Sequence, residues 1–368
     1  MRPPIEYDPR YEVPEDGEAD TQADLLDVLH SIADTTFTDT GRPLRSVHAK
    51  SHGLLRAELR VLPDLPSVLA QGLFAAPGTY PLVMRLSTTP GDVLEDSVST
   101  PRGMALKVIG AQGPRLPGSE NDVTQDFVLV NGTTFLNAGP KAFLGGLTML
   151  AATTDKAPAL KKMLSAALRQ VEKAVEKAGG DSAQLKGMGG HPATHPLGET
   201  YYSQVPFLFG PYMAKWALVP TAVGLTRLKD AAVDYSAGAD VLRQVVAEYF
   251  AQQGGEWDLR VQLCTNIEEM PVEDASAEWP EALSPYVTVA RIVAPPQIGW
   301  SEALSEAIDD GMSFSVWHGL AAHRPLGSIN RVRKAAYEMS SKLRARRRGV
   351  PIVEPVSLDG LPFDHKAP

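Results

Sequence analysis

The sequence predicts an α+β protein: an antiparallel β-sheet or barrel, with helices inserted between strands and one at the C-terminal end. Three observations carry this. Leu55, Ala57, Leu59 and Val61 alternate with Arg56, Glu58 and Arg60, the period-two pattern of a half-buried strand. The signature returns at Trp257, Leu259, Val261 and Leu263, opposed by Asp258, Arg260 and Gln262. Gly- and Pro-containing turns separate these and further strand candidates, which favours an antiparallel arrangement.

Residues 1–22 are rich in Pro, Asp and Glu and show almost no apolar periodicity, so they read as an extended arm whose ordering requires a partner surface. Leu25, Leu26, Val28 and Leu29 suggest a short helix, which makes residues 1–40 an N-terminal arm and short helix. After the strand of residues 55–61 come candidates at 80–88, 104–109, 126–131 and 286–293. Two stretches break the β pattern: 141–178, with Leu160, Met163, Leu164, Leu168 and Val171 at helical spacing, and 238–252, ending in Tyr249 and Phe250. A last helix starts at Ser328 as N-cap. Its apolar stripe is Ile329, Val332, Ala336, Met339 and Leu343, with Arg333, Tyr337 and Arg344 along a neighbouring one. The main domain spans 41–348 and a tail 349–368.

The 368 residues, 43% hydrophobic and 21% charged, describe a globular chain able to bury a large core. A polar, proline-rich start and the lack of a long apolar run predict a cytoplasmic protein with no membrane span. The single cysteine, Cys264, excludes an intrachain disulfide and a thiolate metal cluster. A net charge of -9 argues against a nucleic-acid partner. The basic run Arg344, Arg346, Arg347 and Arg348 reads as a helix C-terminus complementing its own dipole, or as an anion clamp.

Arg333 and Tyr337 stand four residues apart, on one face of the last helix. A tyrosine titrates near ~10, but an adjacent cation and a ferric ion together hold the phenol as phenolate. Such pairs are common as plain surface contacts, and a lone His48 before the first strand is commonly structural too. Together with their neighbours they read differently. Arg45, His48 and Lys50, then Val83, Arg85 and Ser87, then Pro101, Arg102, Gly103 and Lys107 resemble, in order and spacing, the distal half of the haem catalases. The resemblance continues through Asp126, Phe127 and Asn131 to Phe135, through Trp257, Trp279 and Pro280, and from Phe314 to Tyr337, covering roughly residues 41–346. More specifically, the chain resembles small catalase-related haem peroxidases, which keep the barrel and proximal helix without a C-terminal flavodoxin-like domain.

That resemblance implies haem b (heme b) as cofactor, His48 as distal acid–base residue, Tyr337 as iron ligand and Arg333 as the cation that keeps it ionised. It assigns Arg45, Arg85 and Arg344 to the haem propionates; Arg344 lies seven residues, about 10 Å, beyond Tyr337. Phe135 matches an aromatic packed on the porphyrin, Val47 the residue flanking the distal histidine, and Ser87 a hydroxyl that sets its tautomer. The second distal group is Asn121 or its neighbour Asp122, placed by counting back from Phe127. His48 and His52 have the spacing of a metal pair but no third carboxylate ligand nearby; His191 and His195 share that spacing in a proline-containing loop read as structural. The implied activity is haem-dependent reduction of an organic hydroperoxide or hydrogen peroxide through a ferryl intermediate, as a peroxidase with weak catalase-like activity. The partners are the peroxide and a small reducing co-substrate, in a homo-oligomer. Allene oxide synthase-type isomerisation of lipid hydroperoxides and non-enzymatic haem binding are the alternatives.

Overall fold

The alternating segment forms the first long strand. A computed structural model of the chain describes residues 2–91, 93–153 and 190–363, with β1 at Ser51–Val61, β2 at Thr79–Thr88, β3 at Arg102–Ile109 and β4 at Thr124–Val130. β5 is Tyr201–Tyr202, β6 Phe207–Phe209, β7 Tyr212–Pro220, β8 Gly255–Leu263 and β9 Val287–Ala294. The pairings are antiparallel: Leu55 faces Met84, Leu106 faces Phe127, Trp257 faces Ile292 and Leu59 faces Ile292 from the other side. Val130 pairs with Tyr202 and Tyr202 with Ala217. That link between β4 and β7 closes β1–β5 and β7–β9 into an eight-stranded barrel, with β6 added as a hairpin on β7. Closure leaves no long unpaired edge.

The period-two pattern is realised as burial. Leu55, Ala57, Leu59 and Val61 join Met84, Leu106, Phe127 and Trp216 in the barrel's core, while Glu58 and Arg60 face outward. β7 escaped sequence reading for a physical reason: Met213–Leu218 are buried on both faces, so nothing alternates.

The longer helices are α1 (Glu18–Thr40), α2 (Pro140–Thr153), α3 (Val241–Gln252) and α4 (Ser328–Arg348). The short helix expected at 25–29 is a 23-residue one, because Leu25, Leu29, Ile32, Ala33 and Thr36 keep one buried stripe until Gly41 ends it in the left-handed region. Leu25, Leu29 and Ile32 pack with Leu147 of α2 and Val332 of α4, layering three helices against the barrel beside Val47. Ser328 is the first helical residue instead of the cap, a role taken by Gly327 at φ 82°. The expected helix 141–178 is described only to Thr153; the rest lies outside the described residues.

The partner surface that the N-terminal arm needed is its own barrel. Ile5, Tyr7 and Tyr11 pack on the cluster of Met213, Met270, Trp279 and Leu326, and Ile5 N donates to Cys264 O (2.8 Å). Among the described residues no helix is long and apolar enough to cross a membrane.

Burial leaves several imidazoles neutral. It lowers His48 to about 3 and His195 and His323 to about 4, and holds His52 well below the usual range. Each takes up a proton near 6.5 once unfolded. Below that pH the unfolded state binds more protons than the folded one, so stability falls as pH drops from about 6.5 toward 4, by up to about 1.4 kcal/mol per pH unit for each group. Urea unfolding at pH 7 and pH 5 should show this loss; equal stability at both would remove the assignment.

Candidate active site

The turn entering β1 is pinned from three directions. His48 N donates to Thr89 O (2.8 Å) and Ala49 N to Pro90 O (3.1 Å). The buried Lys50 ammonium bonds Asp96 Oδ1 (2.7 Å), Leu94 O (2.9 Å) and Ala239 O (2.8 Å). Held this way, His48 takes φ 54°, a conformation that non-glycine residues rarely adopt. Its Nδ1 lies 3.0 Å from Ser87 Oγ on β2. Its ring sits against Gly103 of β3, where an added Cβ would meet Cε1 at 2.6 Å. With Nδ1 engaged by the serine, Nε2 is the nitrogen left to face a ligand. Burial, then the charges of Arg85, Arg333 and Arg45, lower this imidazole to about 3, so it is neutral at any working pH.

Three guanidiniums from different elements converge on residues 308–312. Arg45 Nη1 donates to Asp309 O (2.6 Å), and its Nη2 to Met312 O (3.0 Å). Arg344 of α4 donates to the same two carbonyls, at 2.9 and 3.0 Å. Arg85 Nε donates to Asp309 Oδ1 (2.6 Å) and its Nη2 to His48 O (2.8 Å). The Asp309 carboxylate also accepts from Ser51 Oγ (2.6 Å) and Ser305 Oγ (2.9 Å). It sits in a π-helical stretch, Ser305–Asp310, a wide turn that turns carbonyls and this carboxylate toward the arginines. Burial pushes Asp309 up, but Arg85 and Arg45 outweigh it and keep the carboxyl ionised. Burial and the charge of Arg85 pull Arg344 down to about 10. The cluster therefore carries more positive charge than Asp309 balances, and Arg344 Nε is buried without a partner.

His48 and Tyr337 line one cavity of about 100 Å³, together with Arg45, Val47, Arg85, Ser87 and Arg344. Seven of the expected site residues thus meet, drawn from both ends of the chain. Phe135 and Arg333 stand beside this group, not in the cavity wall: the Arg333 guanidinium lies 5.6 Å over the Phe135 ring, and its Nη1 bonds Asn330 Oδ1 (3.3 Å). Asn121 is not brought in. It is exposed in the turn between β3 and β4, where counting back from Phe127 overlooked the reversal of the chain. Its neighbour Asp122 does not line the cavity either, and among the described residues the cavity wall carries no amide side chain. His52 is buried in β1 with Nε2 3.2 Å from Thr88 Oγ1. His195 caps a turn by accepting from Leu197 N (3.2 Å). Sequence reasoning missed Asp309 and Leu29, which lines the cavity from α1, and gave Gly103 no role of its own.

No family model matches the chain, and no curated protein matches it. Solved structures do. A fungal catalase superposes with a TM-score of 0.58 at 18% identity, over 86% of this chain and 62% of that one. Catalase A from Saccharomyces cerevisiae gives 0.56 at 16% identity, over 85% and 63%. A bacterial catalase gives 0.57 at 17%, over 90% and 61%. The fold is that of the catalases. The chain spans about three fifths of the length of these catalases. Within this catalase-like barrel, the cavity lies between the turn entering β1, strands β2–β4 and helix α4.

Gly103→Ala tests how the imidazole is seated. The added methyl has no room against His48, so the ring must tilt or the strands part, costing about 1–3 kcal/mol. Urea unfolding and the imidazole proton resonances of the variant read this out; an unchanged His48 resonance would show that the contact does not seat the ring.

Proposed function

We propose that this chain is a haem-binding oxidoreductase that reduces peroxides. The observation that carries the reading is the meeting, in one cavity, of the His48 imidazole, the Tyr337 phenol and three arginines. The donor set suits the group. A phenol is the hard, anionic ligand that a ferric ion takes once deprotonated, and Arg333 lies one helical turn before it. Arg45, Arg85 and Arg344, with charge left over from Asp309 and a buried orphan Nε, fit the two carboxylates of a haem edge. The cavity of about 100 Å³ is smaller than the ~300–1,000 Å³ of ordinary ligand pockets, so a macrocycle enters only by parting the walls. The walls that the sheet does not hold are Leu29 on α1, the face of α4 around Tyr337, and Ser313 and Phe314.

Haem, when bound, supplies the redox chemistry by which a peroxide O–O bond is broken. The residues of this chain manage the protons. Neutral His48 accepts the hydroperoxide proton at Nε2 and returns it to the departing oxygen, while Ser87 and Gly103 keep the ring in line. A small reductant provides the two electrons and two protons that turn ROOH into ROH and water. Met104, Ala105, Val128 and Leu129 make the wall near His48 apolar, which favours an alkyl hydroperoxide over hydrogen peroxide. A haem carrier would have no use for a distal base seated by three separate elements.

Tyr337→Phe removes the ligand oxygen and keeps the ring, so haem should be lost or differently ligated in a barrel that still folds. An unchanged ferric absorption spectrum would sink the assignment. His48→Ala should retain haem and slow the reaction with peroxide by about 10²–10⁴. Because the imidazole is neutral above about 3, the wild-type rate should be flat from pH 5 to 8. Stopped-flow mixing with hydrogen peroxide and with a bulky alkyl hydroperoxide measures both; equal rates in wild type and variant would return the carrier reading.

A further inference from the structure

Past Gly349 the chain doubles back over the barrel, and Phe363 is buried against Leu304, Ile308 and Met312. Between these points Glu354 bonds the Lys107 ammonium, which is fully buried in β3 and also holds both oxygens of Asp126 in β4 (2.7 and 2.9 Å). Thr124 Oγ1 donates to Glu354 Oε2 (2.8 Å) and Ser313 Oγ to Oε1 (3.4 Å). The same socket grips the cavity wall from behind. Ser315 N donates to Asp126 Oδ2 (2.9 Å), Asp126 N to His318 O (2.9 Å), and the Lys107 ammonium lies 5.4 Å over the Phe314 ring. Ser313 and Phe314 line the cavity. His318 Nδ1 lies between the two carboxylates, 3.5 Å from Asp126 Oδ2 and 3.4 Å from Glu354 Oε1, and its side chain is 24% exposed.

We propose that Glu354 is a latch: it fastens the segment after α4 into a socket of Lys107, Asp126 and His318, positions the wall at Ser313 and Phe314, and is held shut by a proton on His318. The charges require that proton. Two carboxylates against one ammonium leave a buried negative charge, which an imidazolium cancels. Three charged groups face His318: Lys107 from β3, Asp126 from β4 and Glu354 from the C-terminal segment. Arg115, in the β3–β4 loop, feels the same carboxylates but donates to Ser119 O (3.0 Å) and Thr124 O (2.7 Å). Burial works against the proton and Asp126 outweighs it, raising His318 above its ordinary 6.5. A raised value means that the stabilisation is complete below 6.5 and is lost as pH climbs through the folded pKa. Asp126, His318 and Glu354 also stand close enough together to hold a divalent cation. Lys107 already occupies both carboxylates, so the proton is the better counter-charge.

The latch sets the wall of the cavity proposed for haem, but its test needs no ligand, so the two readings fail separately. Hydrogen exchange of the full-length chain is followed at pH 6 and pH 9 over residues 349–363 and 313–318, corrected for the intrinsic rate, with β8 as internal control. Protection of both segments should drop at pH 9, about tenfold for each unit by which folding raises the His318 pKa. His318→Gln should remove the pH dependence, and Glu354→Gln should lower protection at both pH values, with β8 unchanged. Protection independent of pH in wild type, or an undiminished pH dependence in His318→Gln, would overturn the proposal. So would stoichiometric zinc binding by wild type that His318→Gln abolishes.

Discussion

One buried carboxylate organises the site. Asp309 accepts from Arg85 on β2, Ser51 at the head of β1 and Ser305 on its own turn, and its backbone carbonyl receives Arg45 and Arg344. The entry turn, two strands, the π-helical stretch and α4 are thus tied at a single point. Burying a carboxylate is costly unless it is paired and its lone pairs are filled, and here both conditions are met. Arginines packed this closely repel one another, which is tolerable only with an anion among them. Asp309 supplies that anion, and the charge of its neighbour Asp310 acts on Arg45 and Arg344 as well.

The barrel's part is to make this convergence rigid. A closed sheet cannot splay at an edge, so residues on neighbouring strands keep their spacing. Ser87 and Gly103, on β2 and β3, are paired directly across the ladder, and between them they define where an imidazole can lie. α4 supplies the opposite wall. Tyr337 and Arg344 stand two turns apart on one helix, so the position of one determines that of the other.

Much of this was legible in the sequence, for identifiable reasons. β1 alternates because Glu58 and Arg60 face outward, and β8 alternates in polarity although Asp258 and Gln262 are buried; both patterns survive in a single sequence. β7 does not alternate, and β5, whose two residues close the barrel, is too short to carry a pattern. His48, Arg85 and Tyr337, which line one cavity, stand out in the sequence because their neighbours keep a recognisable order. Asp309 was not, since next to Asp310 it reads as a solvated acidic pair; only the arginines folded around it show otherwise. Asn121 failed because linear counting has no knowledge of a turn. The full length of α1 was hidden by a narrow stripe that includes a threonine.

His48 holds its backbone in the left-handed region. At φ 54° the fold itself would be more at ease with glycine, which reaches that region without steric penalty. Replacing His48 with glycine would therefore relieve the main chain at the same stroke that removes the imidazole. A position where the fold prefers one residue and the chain carries another marks a conflict between comfort and use. Under selection for stability alone, position 48 is where drift in this barrel would be expected to begin.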